Sequence, residues 1–118
     1  MLKKGRGYIY DITYYIAWYT NEGTILDNYS LSLLNTMFYD IAKDYNFTIS
    51  NLHMTSNYIY LEVDCKPQHY IPNLLKLLKG ITARRLLTLN PDLKESLSKG
   101  RLWKPDYYVT TTPGILKC

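Results

Sequence analysis

The sequence contains little cysteine and no long uninterrupted apolar run. Of its 118 residues only two are cysteines, Cys65 and Cys118, and their spacing matches neither a metal-binding motif nor a disulfide framework. A reducing compartment is therefore expected. The N-terminal stretch MLKKGRGYIYDITYYIAWY begins with basic residues, but polar groups and tyrosines interrupt its apolar part, which excludes a signal-peptide core and a membrane span. These absences predict a soluble, cytoplasmic protein with no membrane partner.

The chain also lacks a low-complexity linker, an internal repeat and a glycine-rich phosphate loop. A length of 118 residues without a linker predicts one domain over 1–118 with a single hydrophobic core.

Histidine is scarce as well. Because His53 and Asp64 lie on separate segments and His69 lies in a predicted loop, no ligand spacing predicts a metal site, and no serine–histidine pattern predicts a nucleophile.

Tyrosine and basic residues are what the sequence has in excess. There are 13 tyrosines, and the net charge is +4 with a pI of about 9.0. Tyrosine is amphipathic, so it suits interfaces and stacking on bases. The basic balance mildly favours a polyanionic partner, although many basic proteins bind no nucleic acid.

The first half of the chain predicts a strand and a helix. Residues 8–19, YIYDITYYIAWY, are β-branched and aromatic and become apolar on both faces, as expected of a central strand. Residues 30–45 carry an apolar stripe at three-four spacing and predict a helix. Ser30 or Asp27 can serve as its N-cap, and Asn46 is expected to end it in a left-handed conformation.

The second half predicts three strands and one helix. FTISNLHM and NYIYLEV predict two strands joined by a tight turn at Thr55 and Ser56. A helix is predicted over 71–89, followed by a polar connector and a last strand near 107–111. The order strand, helix, strand, strand, helix, strand predicts an α+β, ferredoxin-like (RRM-like) fold, in which an antiparallel sheet carries both helices on one face. The first and third strands are then central, and their open face is the natural binding platform.

NYIYLEV, residues 57–63, separates into two faces. We expect the helices to bury the aliphatic face, which leaves the tyrosines and the carboxylate on the open face. The aliphatic face consists of Ile59, Leu61 and Val63, and the opposite face consists of Tyr58, Tyr60 and Glu62. Because tyrosine is a favoured strand residue, cross-strand packing explains the two tyrosines about as well as a binding role does.

Three segments resemble motifs of one protein family. YYIAWYT, 14–20, resembles the first-strand pattern Tyr-His-Ile-Val-Trp-Val-Thr, and LKGITARRL, 78–86, resembles the helix motif Leu-Lys-Gly-x-Ser-Ser-Arg-x-Leu. LWKPDYYV, 102–109, resembles Leu-Trp-x-Pro-x-Tyr-Phe-Val. The same order and similar spacing occur in the HUH single-tyrosine transposases of the insertion-sequence 200/605 family, and the resemblance covers nearly the whole chain. It implies a protein of DNA transposition and recombination.

The resemblance also implies a ligand, an assembly and a chemistry. Members of that family act on single-stranded DNA as homodimers that recognise a hairpin at each end of the mobile element. Two histidines at alternate positions of one strand hold Mg²⁺ or Mn²⁺, which polarises the scissile phosphate. A tyrosine on a C-terminal helix attacks that phosphate, and a glutamine one turn later completes the metal site.

The catalytic positions of this chain depart from the family pattern. NYIYLEV takes the place of Asp-His-Val-His-Leu-Leu-Val, so Tyr58 and Tyr60 stand at the histidine positions. A phenol with a pKa near ~10 is a poor ligand for magnesium or manganese at neutral pH. The chain also stops at Cys118, about where the helix with the tyrosine and glutamine would begin. We therefore expect no metal cofactor and no catalytic residue.

The resemblance assigns DNA contact to two groups of side chains. Cations in and near the helix motif are expected to contact phosphates, and tyrosines at or beside the histidine positions are expected to stack on unpaired bases. The cations are Lys76, Lys79, Arg84 and Arg85, and the tyrosines are Tyr15, Tyr58 and Tyr60. Trp103, by contrast, is predicted to be a packing anchor.

Three hypotheses about function remain open on the sequence alone. The first is a catalytically inactive, transposase-like protein, a remnant or a domesticated copy, that binds single-stranded or hairpin DNA. The second is an active single-tyrosine transposase that uses unusual ligands or a helix encoded outside this chain. The third is a structural or protein-binding module, in which the helix cations form an ordinary solvated face and the open sheet contacts a protein.

Overall fold

The computed structural model describes residues 12–65, 71–97 and 100–111. Within these ranges the chain forms four strands and three helices. In chain order they are β1 Ile12–Tyr19, α1 Asn28–Asp44, β2 Thr48–Thr55, β3 Tyr58–Cys65, α2 Ile71–Leu89, α3 Pro91–Ser96 and β4 Tyr108–Thr110. Residues 8–11 of the predicted first strand, His69 and Cys118 lie outside the described residues. No helix within the described ranges combines the length and the apolar character that a bilayer span requires.

The four strands form one antiparallel sheet in the order β2-β3-β1-β4. The first and third strands are the central pair, as the sequence predicts. β1 and β3 pair along their whole length, from Ile12 opposite Cys65 to Tyr19 opposite Tyr58. The ferredoxin-like fold is therefore confirmed, and the central pair that should carry the binding platform is in place.

The helices bury one face of this sheet. Ile59, Leu61 and Val63 are fully buried in the core that also contains the apolar stripes of α1 and α2. Tyr58 and Tyr60 belong instead to a separate cluster around Ala17, on the opposite face. Because a slip of one residue would exchange these two groups, the predicted register of β3 is confirmed.

The ends of α1 are specified by local polar contacts. The Asp27 carboxylate accepts a hydrogen bond of 2.8 Å from the backbone N–H of Ser30, and this bond lowers the pKa of Asp27. Asp27, and not Ser30, is therefore the N-cap. At the other end Asn46 adopts a left-handed conformation with φ of 59°, and the Phe47 N–H reaches back to the Ala42 carbonyl at 3.1 Å. This is a Schellman-type end, and it turns Phe47 into the core.

α3 is the element that the sequence pattern missed. Asn90 and Pro91 correctly predict the end of α2, but they also begin a new helix. The Asn90 side chain accepts from the Leu93 N–H at 3.4 Å, and Pro91 occupies the first turn, where its missing N–H has no consequence. The Asn90 amide also donates to the Ser30 hydroxyl at 3.0 Å, which ties the end of α2 to the start of α1.

Trp103 anchors the segment that leads into β4. Its ring lies edge-on to Trp18, with the ring centroids 5.7 Å apart. Its indole N–H donates to the Lys79 carbonyl at 3.0 Å and to the Thr82 hydroxyl at 3.2 Å. The predicted packing role is confirmed, and this contact places residues 100–107 beside α2.

Candidate nucleic-acid interface

The open face of the sheet is rich in tyrosine, but the tyrosines predicted to stack on bases are not exposed. Tyr15 lies beside Tyr58 and Tyr60 on this face, as expected. However, Tyr58 is only 5% exposed and Tyr60 only 1%, while Tyr15 is half-buried. The expectation that these rings form an accessible platform is corrected by the structure, because the Tyr58 ring is covered by Tyr19, at a centroid distance of 4.8 Å.

A hydrogen-bond network occupies the position of the family's second histidine. The Tyr60 hydroxyl donates to Glu62 Oε2 at 3.0 Å, and the Asn51 amide donates to the same oxygen at 2.9 Å. Burial, followed by the contact with the Glu62 carboxylate, raises the pKa of Tyr60 to about 12. Tyr60 is therefore a neutral hydrogen-bond donor at physiological pH, and the Glu62 carboxylate accepts hydrogen bonds from both Tyr60 and Asn51.

The residues of this face do not fit the divalent metal that the resemblance implies. Mg²⁺ and Mn²⁺ prefer carboxylate, carbonyl and water oxygens, and a protonated phenol is not in that set. His53 lies directly opposite Tyr60 in the β2–β3 pairing, and Asp64 accepts a hydrogen bond from Thr13. Across the described ranges, no three histidine, cysteine or acidic side chains come close enough together to hold a metal ion.

The raised pKa of Tyr60 makes a prediction about alkaline stability. The folded-state pKa of about 12 exceeds the ordinary value of 10.0, so the folded chain binds its proton more tightly than the unfolded chain does. The stabilisation is fully present below about pH 10 and is lost as the pH rises through about 12. We expect chemical denaturation between these values to show a steeper loss of stability for the wild type than for Tyr60→Phe. Parallel curves for the two proteins would contradict this assignment.

The predicted phosphate-binding cations lie on α2, on the helical side of the sheet. Lys76, Arg84 and Arg85 are exposed. Arg84 and Arg85 line a groove of about 520 Å³ between α1 and α2, which also contains Asp40. Arg84 and Lys76 also line a neighbouring depression of about 440 Å³. The structure therefore brings these three cations onto one helical surface, and it separates them from the tyrosines by the thickness of the sheet.

Lys79 has a structural role that the sequence did not predict. Its ammonium group donates to the carbonyl of Lys104 at 2.5 Å and to that of Asp106 at 3.3 Å. Burial lowers the pKa of Lys79, partly offset by the Asp106 carboxylate. Because its ammonium is already used to hold residues 104–106, Lys79 is a weaker candidate for a phosphate contact than Lys76, Arg84 and Arg85.

Sequence reasoning missed several exposed groups near these sites. Arg101 and Lys104 join Lys76 and Lys79 around a groove of about 710 Å³, and no acidic side chain is among its described lining residues. Tyr19 and Tyr108 are exposed tyrosines of the open face, 38% and 52% accessible. The alternation of β1 places Tyr19 on the same face as Tyr15 and was a usable signal. Nothing in the sequence indicated that Tyr19 would cover Tyr58.

Comparison with known proteins agrees with the motifs. The family model described as "Transposase IS200 like" matches residues 8–115. The chain belongs to the IS200-like transposase family. It is 34% identical over 116 residues to the ISDra2 transposase TnpA of Deinococcus radiodurans, which covers 93% of this chain and 79% of the relative.

Solved structures of transposases share the fold. A Deinococcus radiodurans R1 crystal structure assigned as a transposase superimposes with a TM-score of 0.87 at 35% identity, covering 96% of this chain and 88% of that one. A REP-associated tyrosine transposase bound to a REP hairpin superimposes with a TM-score of 0.61 at 14% identity, over 95% of this chain and 62% of that one. At 14% identity, the second superposition shows a shared fold and nothing more.

Proposed function

We propose that this IS200-like chain binds single-stranded or hairpin DNA in the cytoplasm and does not cleave it. The observation that carries the proposal concerns the two positions at which the family, by resemblance, has metal-ligating histidines. Tyr58 and Tyr60 are buried there, and Tyr60 is hydrogen-bonded to Glu62 and stays protonated at neutral pH. Without a bound metal the scissile phosphate lacks the group that would polarise it. The proposal therefore includes neither a metal cofactor nor a catalytic residue.

The cation surface of α2 supports DNA as the ligand. Lys76, Arg84 and Arg85 are exposed and adjacent, so they can neutralise phosphates without disturbing the core. The REP-associated tyrosine transposase, which has the same fold at 14% identity, is bound to a hairpin, and this lends further support. Positive charge of this kind gives binding that depends on salt, whereas a protein-binding module has no reason to respond in the same way.

The proposed assembly is a homodimer, as the family resemblance implies. The short edge strand β4 supports it, because Val109 on this strand and Tyr107 just before it expose apolar surface. Exposed aromatic surface at a sheet edge favours association with a second copy. Sedimentation that shows only protomers at micromolar concentration would exclude this part of the proposal.

A salt series with hairpin DNA tests the central proposal. We expect labelled hairpin DNA to bind at low salt and the logarithm of the association constant to fall by about two to three per tenfold rise in salt, as three phosphate contacts predict. Fluorescence anisotropy measures this slope, and a blunt duplex of the same length is the control for general DNA affinity. If no DNA binds at low salt, the DNA proposal is wrong and the protein-binding hypothesis is left.

A further inference from the structure

Two exposed tyrosines stand at one end of the open sheet face. The Tyr19 and Tyr108 ring centroids are 6.5 Å apart and nearly perpendicular, at 88°. Tyr19 rests on the buried ring of Tyr58. The open face therefore does present aromatic surface to solvent. That surface comes from Tyr19 and Tyr108, which lie beside the buried Tyr58 and Tyr60.

Two charged side chains complete a small cavity with these rings. Lys104 and Asp106 line it together with Tyr19 and Tyr108, and its volume is about 160 Å³. The Lys104 ammonium lies 5.9 Å from the centroid of the Tyr19 ring. Pockets for whole drug-sized ligands measure about 300–1,000 Å³, so this cavity suits a single planar ring system.

The backbone around the cavity is held from two sides. The Lys104 N–H donates to the Tyr19 carbonyl at 3.0 Å, beside the isolated antiparallel bridge between Thr20 and Trp103. From the helical side, Lys79 binds the carbonyls of Lys104 and Asp106. Because the segment is already fixed, binding here requires little further ordering.

We propose that the cavity lined by Tyr19, Lys104, Asp106 and Tyr108, the Tyr19 pocket, holds one unpaired base of single-stranded DNA. This inference rests on the proposed DNA-binding function and names a second contact site for that ligand. An exposed tyrosine offers a face on which any base can stack. Lys104 is placed for the phosphate that flanks the base, whereas the Asp106 carboxylate repels phosphate and accepts hydrogen bonds from base amino groups.

Other occupants fit the pocket less well. A free phosphate or a phosphopeptide would place its charge next to Asp106, which is unfavourable in so small a cavity. A folded protein partner would need a contact area far larger than these four side chains provide. A planar base can stack on the tyrosine rings and donate hydrogen bonds from its amino group to the Asp106 carboxylate.

The test compares two DNA probes on three proteins. The first probe is a hairpin with an unpaired extension of about four nucleotides that carries one 2-aminopurine, and the second is the same hairpin without the extension. The proteins are the wild type, Tyr19→Leu and Tyr29→Leu; Tyr29 is an exposed tyrosine on α1 and serves as the matched control. We expect Tyr19→Leu to lose roughly tenfold in affinity for the extended probe only, together with the 2-aminopurine quenching that stacking produces.

Tyr19→Phe separates stacking from folding. This variant keeps the ring that covers Tyr58, so we expect it to retain both the affinity and the quenching. If wild type and Tyr19→Leu bind the two probes equally, the Tyr19 pocket is overturned and the α2 surface alone accounts for binding. If wild type binds neither probe at low salt, the proposed function fails and the pocket proposal fails with it.

Discussion

Replacing Arg84 and Arg85 by glutamate is expected to lower the affinity for hairpin DNA by roughly a hundredfold, since each charged contact contributes about 1.5 kcal/mol or more. Both side chains are exposed on α2 and line the groove against α1, so the substitutions should leave the core intact. The salt dependence should weaken at the same time, by about one unit of logarithmic slope for each phosphate that the variant no longer neutralises. Fluorescence anisotropy at several salt concentrations measures both quantities.

The control for this experiment has the same net charge. Lys43 and Lys94 are exposed and line none of the grooves described above. Each reversal to glutamate changes the charge by two, so both double variants fall from +4 to 0. We expect Lys43→Glu/Lys94→Glu to stay within a few-fold of the wild type. Equal decreases in affinity for the two variants would mean that DNA responds to overall charge and that α2 makes no particular contact.

Incubation with labelled hairpin DNA and Mn²⁺ is expected to give no covalent protein–DNA adduct. Cleavage by the family route needs a metal on the phosphate, and Tyr58 and Tyr60 cannot supply its ligands. Loss of one catalytic group alone costs on the order of a thousandfold or more in rate. A denaturing gel separates a covalent adduct from bound DNA, because only the adduct survives denaturation.

A transposase relative of this chain serves as the positive control that makes this result interpretable. The same hairpin and buffer should be tried with the 34%-identical Deinococcus radiodurans relative, and the comparison is valid only if a covalent band appears there. A shifted band with the present chain would refute the non-cleaving proposal and favour the hypothesis of unusual ligands. Binding without a band, in parallel with a working control, is the outcome we expect.

Much of the fold was predictable because its signals are local and repeated. The period of two in NYIYLEV determines which side of β3 is buried, and the apolar stripe of 71–89 predicts α2 with its observed bounds. α3 was not predicted. The signals at Asn90 and Pro91 that end one helix are also signals that begin another, and six residues are too few to show a helical period.

The sequence predicted which residues form the candidate site, but it did not predict which of their side chains are exposed to solvent. Motif spacing located Tyr58, Tyr60 and the α2 cations, and the structure confirms the faces on which the tyrosines lie. Burial depends on long-range contacts that spacing does not encode. Tyr19 covers Tyr58 across the β1–β3 pairing, and Lys79 reaches residues 25 and 27 positions away, to Lys104 and Asp106.

The hydrogen-bond network at Tyr60 also opposes the stepwise introduction of a metal site at the two tyrosine positions. A change of Tyr60 to histidine alone would remove the hydroxyl that bonds Glu62 and would leave a tyrosine at the other ligand position. Buried polar groups that lose one partner are destabilising, so this first step costs stability before any metal can compensate. A change of Tyr58 alone would remove the ring that supports Tyr19. Neither step by itself would supply two ligands, so both tyrosines would have to change together before a divalent metal could be held at these positions.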